Sequence, residues 1–210
     1  MMIRVLYSFL VFKFSFLLFS SLVYSQEIYR DDQGREIGKA YFEKQILEGP
    51  YFGIPGQSAN EKVLVHRMPS GKLEDTRVFF EKTGSLEAYE EGKSLLIVFY
   101  PGPDECNTTA QRNPQEYYSK NHKALLRWTG KLNAADPVYI YASPVGLQVS
   151  SSELTWNSDP ESIFQQQFFR FPYPCQSFMV LHPDGRYRGI LGEFPLDQIQ
   201  VALKKIKRGK

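Results

Sequence analysis

Ser94-Leu95-Leu96-Ile97-Val98-Phe99-Tyr100-Pro101-Gly102-Pro103-Asp104-Glu105-Cys106 is the stretch on which the fold turns. Leu95 to Tyr100 is a continuous apolar run of strand length, as expected of a strand covered on both faces rather than one. The breakers Pro101, Gly102 and Pro103 end it at once, and Pro103 and Asp104 are good starting residues for a helix, which the sequence places with Cys106 in its first turn. Beyond Asn113-Pro114 the helix continues, putting Tyr117, Tyr118, Ala124, Leu125 and Trp128 on one stripe and stopping near Gly130.

Downstream the pattern alternates. Val138 to Ala142 reads as a second buried strand, followed by an irregular stretch through Trp156. Ser158-Asp159-Pro160-Glu161 announces a helix, with Ser158 as N-cap, Pro160 in the first turn and Glu161 at the third position, running to about Phe169. Phe171-Pro172-Tyr173-Pro174 cannot continue it. Ser177 to Leu181 is then a strand, turned by His182-Pro183-Asp184-Gly185 into another, Arg186 to Leu191. Pro195 opens the last helix, with Leu196, Ile199, Ala202, Leu203 and Ile206 on one face. Lys204, Lys205, Lys207 and Arg208 suit its C-terminal dipole better than they suit a binding patch.

Upstream, residues 26–92 are polar and punctuated, and read as a small N-terminal extension. Asp31-Asp32-Gln33-Gly34 is a turn and Lys39 to Leu47 a short helix, while Lys62 to Arg67 and Arg77 to Glu81 read as a β-hairpin joined across Pro69-Ser70-Gly71. Residues 1–25 read as an export signal: Arg4 and Lys13 precede an apolar stretch from Phe14 to Leu22, and Val23 and Ser25 supply the small-residue cleavage pattern. The uncharged run is about half the ~20 residues of a spanning helix, so no integral membrane segment is expected after cleavage. Of 25 Lys and Arg, removal of Arg4 and Lys13 leaves 23 against 23 Asp and Glu. A formally neutral chain gives no reason to expect nucleic acid as a partner. The localisation expected is exported, periplasmic or secreted, where thiols stay oxidised, and the two cysteines, Cys106 and Cys175, permit one intramolecular bridge.

Strand, helix, strand, helix, antiparallel strand pair and closing helix is an order that resembles the thioredoxin-like superfamily over about residues 92–208. Pro114 stands eight positions after Cys106, as the helix-kinking proline follows the first active-site cysteine of that family, and Ser177 to Gly185 looks like the strand and turn that follow its cis-proline. The resemblance implies an α/β fold, a three-layer α/β/α sandwich with a mixed sheet, occupying residues 93–210. The motif departs from the family's Cys-x-x-Cys: the chain reads Cys106-Asn107-Thr108-Thr109, Glu105 replaces the usual Trp, and the cis-proline position falls on Gln176, with Pro174 close by. Peroxiredoxins place a threonine where Pro103 stands.

By the same resemblance the loop bearing Cys175 packs against the helix start bearing Cys106, which implies a disulfide between them. That pair serves as a static bridge or as a redox couple, with Cys106 the nucleophile, Thr109 its hydrogen-bond donor and Cys175 the resolving thiol, and a third reading leaves both cysteines reduced and buried. A groove at Tyr173, Pro174 and Gln176 would hold an extended peptide or an envelope protein partner. No cofactor is expected. No metal is expected either, because His66, His122 and His182 show no ligand spacing. Phe164, Phe168, Phe169, Phe171 and Tyr173 fit a core at helical spacing better than an exposed groove. The sequence therefore offers two function classes, a non-catalytic binding or structural module and a thiol-disulfide oxidoreductase or thiol peroxidase.

Overall fold

The structure is a computed structural model and describes residues 26–104, 106–107, 114–147, 149–150, 154–171 and 173–209. The export signal read in residues 1–25, together with Glu105, Thr108 and Thr109, lies outside them. Strand β5 (Leu95–Tyr100) is buried at every position, as its unbroken apolar run requires. It sits inside a six-stranded mixed sheet of order β4-β9-β8-β5-β6-β7, where β4 is Ser70–Lys72, β6 Val138–Tyr141, β7 Trp156–Ser158, β8 Ser177–Leu181 and β9 Arg186–Ile190. β5, β6 and β7 run parallel, whereas β8 is antiparallel to β5 and β9 antiparallel to β8.

Alternate residues of β5 feed two cores. Leu96, Val98 and Tyr100 face Leu125 of helix α4 (Pro114–Leu132) and Ile199, Ala202, Leu203 and Ile206 of helix α6 (Asp197–Lys207). Leu95, Ile97 and Phe99 face Phe79 and Phe80 of helix α2 (Arg77–Lys82) and Phe164 of helix α5 (Ile163–Gln167), and the Phe99 and Phe169 rings stack 4.2 Å apart. The molecule is thus a mixed α/β sandwich, with a sheet covered on both faces. Tyr117, read from the sequence as part of the buried stripe of α4, is exposed one turn into the helix.

A second sheet of three strands, order β1-β3-β2, joins β1 (Ile28–Asp31), β2 (Tyr51–Pro55) and β3 (Glu61–His66). Helix α1 (Lys39–Glu48) covers one face through Phe42, which packs with Tyr29 and Leu64. Ile54 and Val65 on the other face join the core of the large sheet, where Phe79 and Phe80 lie. The chain passes straight from β3 into edge strand β4, which pairs with β9.

The structure departs from the sequence expectations at three places. Arg77 to Glu81 is helix α2, not a strand: the Asp75 carboxylate accepts the Arg77 N–H at 2.8 Å and Arg77 pairs with Glu81 one turn on. Adjacent Phe79 and Phe80 are both buried in one core, which a strand, sending neighbours to opposite faces, could not arrange. The hairpin partner of β3 is instead β2, closed by a turn in which the Glu61 carboxylate accepts the Gln57 N–H at 2.8 Å. Finally, Ser158 ends β7, and Asp159 does the capping, accepting the N–H groups of Phe164 and Gln165 at 3.1 and 2.8 Å. A helix α3 (Leu86–Glu90) precedes β5.

Candidate functional site

At the C-terminal end of β5 the chain leaves through Pro101 to Asp104 into a turn at Cys106 and Asn107. Gly102 takes φ +121°, a left-handed conformation open to glycine, and brings the loop against Ser143. From the other side, Tyr173 to Gln176 leads into β8. Cys106 and Cys175 meet between these loops as a disulfide with Cα atoms 5.1 Å apart, across 69 positions of sequence.

Asp104 organises both loops. Its Oδ1 accepts the N–H groups of Cys106 and Asn107, each at 2.9 Å, and its Oδ2 accepts the Cys175 N–H at 2.7 Å. Asn107 is buried and reciprocates: its Oδ1 accepts the Asp104 N–H, and its amide donates to the carbonyls of Gly102 at 2.9 Å and Cys175 at 3.2 Å. Cys175 is held at φ +65°, a conformation that costs a non-glycine residue on the order of 1 kcal/mol and persists only where the surroundings dictate it. Here the disulfide on its side chain, Asp104 on its N–H and Asn107 on its carbonyl dictate it together.

Cys106 and Asn107 form an Asp-nucleated turn. Residues 108–113, through which the helix expected from Cys106 would run, lie outside the described residues, and the described helix covers Pro114–Leu132. All peptide bonds among the described residues are trans, those of Pro174 and Gln176 included, so no cis-proline stands in the Cys175 loop. Of the residues read as a groove, Tyr173 is buried in the core, where burial pushes its hydroxyl well above the ordinary range, while Pro174 and Gln176 are half-buried beside the disulfide. Phe164, Phe168 and Phe169 are likewise core. Thr109 lies outside the described residues.

The third wall is Gly192-Glu193, which follows β9. The Gly192 N–H donates to buried Ser177 Oγ at 3.0 Å, and its φ of +76° lets the backbone pass where a Cβ would stand 2.5 Å from Phe52. The Glu193 carbonyl accepts from Arg67, whose guanidinium lies 4.1 Å over the Phe52 ring. The Glu193 carboxylate reaches the disulfide, with one oxygen and both sulfurs mutually within 4.8 Å.

The site brings the carboxylates of Asp104 and Glu193 to the cysteines, with the Arg67 guanidinium behind Glu193. Burial, and after it the charge of Asp104, push the Tyr100 hydroxyl above its ordinary range, where it donates to the Val145 carbonyl at 2.9 Å. The three histidines lie apart from the cysteines with partners of their own: His66 against Tyr51, His122 on the Tyr139 hydroxyl and His182 on Asp184. Asn107 and Glu193 were invisible as site residues from the sequence. Asp104-x-Cys106-Asn107 does carry the signal of an Asx turn, but nothing local announces the bond from Asp104 to Cys175. No helix among the described residues is long and apolar enough to cross a membrane.

No protein-family model matches this chain, and no curated protein or solved structure matches it either.

Proposed function

We propose that this chain is an exported, thioredoxin-like module without redox catalysis, in which the Cys106–Cys175 disulfide fastens the loop after β5 to the loop before β8. Support for the likeness comes from the element order β5, α4, β6, α5, β8, β9, α6, interrupted only by the three-residue strand β7 between β6 and α5, and from a cysteine just after the first of those strands. The exported setting rests on the residue pattern of positions 1–25 and fits an oxidised pair. The module presents the rim around Pro174 and Gln176 to a peptide or envelope protein partner.

One observation carries the non-catalytic reading: the Asp104 carboxylate already occupies the N–H groups of Cys106, Asn107 and Cys175. Reactive cysteines draw their thiolate character from such N–H groups and from nearby positive charge. Here both N–H groups of the cysteines point to a carboxylate, whose negative charge opposes a second anion at either sulfur. The rival reading, an oxidoreductase with Cys106 as nucleophile and Cys175 resolving, needs the opposite field.

Alkylation of the reduced full-length chain at neutral pH separates the two. The proposal expects both thiols to react no faster than free cysteine. A Cys106 that reacts at least about tenfold faster, the mark of a stabilised thiolate, would select the oxidoreductase instead.

A further inference from the structure

Cys106, Cys175 and Glu193 form the one cluster among the described residues that gathers three potential metal-ligating side chains within 4.8 Å of one another. While the sulfurs are bonded to each other, neither is a thiolate, and the cluster is a disulfide with a carboxylate beside it. Reduction changes its chemistry. A phosphine or dithiol reductant supplies two electrons, the S–S bond breaks, and each sulfur takes a proton. A divalent ion binding both sulfurs then displaces those two protons to solvent, and two metal–sulfur bonds form.

We propose that the reduced chain holds one zinc ion through the sulfurs of Cys106 and Cys175 and the carboxylate of Glu193, and that oxidation to the disulfide abolishes this site. Tetrahedral zinc with its ordinary bond lengths places two sulfur ligands about 3.8 Å apart and a sulfur and an oxygen ligand about 3.6 Å apart. The sulfurs need only separate from bonding distance, and the exposed Glu193 side chain needs to move by about 1 Å from its present reach. Two thiolates and one carboxylate suit zinc, not calcium or magnesium, which prefer sites made wholly of oxygen. A dication also cancels the field that opposes thiolates here, because its charge outweighs the neighbouring Asp104 carboxylate.

The anchors of the site survive reduction. Asp104 holds the Cys106 turn and the Cys175 N–H by hydrogen bonds independent of the S–S bond, and Asn107 holds the Cys175 carbonyl. Glu193 is kept in place from behind by the bond from Arg67 to its carbonyl and by Gly192 on Ser177. Three protein ligands leave the fourth tetrahedral position to water or to a ligand from a partner. The site would therefore be an open one, present in the thiol state and absent in the disulfide state.

Cobalt(II) titration of the full-length chain tests this, because cobalt bound to thiolates gives a near-ultraviolet charge-transfer band that oxygen ligation does not. The expected result is a band in the reduced chain saturating at one cobalt per chain, displaced by zinc and missing from the oxidised chain. The surface variant Glu193→Gln, which leaves both cysteines and the fold in place, is expected to bind at least about tenfold more weakly. An absent band, an equal band in the oxidised chain, or equal affinity in Glu193→Gln overturns the proposal. Circular dichroism of the same samples closes the remaining route: a reduced chain that loses its fold and does not regain it with zinc also overturns it, since the site requires the folded loops.

Discussion

One carboxylate, that of Asp104, joins two loops whose bonded residues, Asp104 and Cys175, are 71 positions apart. The hydrogen bonds it accepts from Cys106, Asn107 and Cys175 each involve a charged acceptor, the stronger kind, and the donors sit in a partly buried corner with Asn107. Asp104→Asn keeps the shape but replaces one carboxylate oxygen by an NH2 group, which sets a donor against one of those N–H groups. The variant should unfold about 1–3 kcal/mol more easily in a denaturant titration of the oxidised protein. An unchanged midpoint would show that the carboxylate is incidental. The sequence revealed this residue only as a turn or helix-start signal, because an Asx turn is local and the bond to Cys175 is not. The left-handed φ of Cys175 was equally illegible, since a non-glycine residue in that conformation answers to its surroundings and carries no compositional mark.

Elements with a strong internal pattern were legible. β5, β8, β9, α1 and α6 lie where hydrophobic runs, periodicity and turn residues put them, within a residue or two. Elements decided by partners were not: β4 and β7 are three-residue strands that exist by pairing with β9 and β6, and α2 was read as a strand because Val78, Phe79 and Phe80 favour strands intrinsically. The turn between β8 and β9 allows a test at this scale. Burial raises the Asp184 carboxyl, but hydrogen bonds from the Arg186 side chain and backbone, and beside them His182, outweigh it and bring the group from 3.8 down to about 2. A carboxyl with a folded value below its unfolded one contributes stability above about pH 4, and that contribution is lost as pH falls from 3.8 to 2. Half-exposed, the group is screened, so the effect is below about 1 kcal/mol. Melting temperature should fall less steeply between about pH 4 and pH 2 in Asp184→Asn than in the native chain. Parallel curves for the two proteins would exclude the ion pair as a contributor.

Across the whole molecule, the large sheet carries a core on each face, and the small sheet is fused to one of them through Ile54 and Val65. The fold class was readable because β5 is buried on both sides. How residues 26–92 attach was not, since β4 and α2 draw that region into the large sheet by long-range pairing and packing. The disulfide ties the loop at one end of β5 to the loop entering β8, and closes 69 positions of chain. Loop closure on that scale restricts the unfolded ensemble by about 4 kcal/mol. The double variant Cys106→Ala with Cys175→Ala should lose roughly that much in denaturant unfolding, and a loss under about 1 kcal/mol would deny the bridge its structural role. The proposed role of this bridge is a fastening and not a catalyst, and its reduction potential is the most direct measure of that. Equilibration of the full-length chain against defined dithiol buffers should give a value below about −300 mV, resistant to a glutathione pool, whereas a value between about −120 and −270 mV, where disulfide-exchanging enzymes lie, would contradict a purely structural bridge.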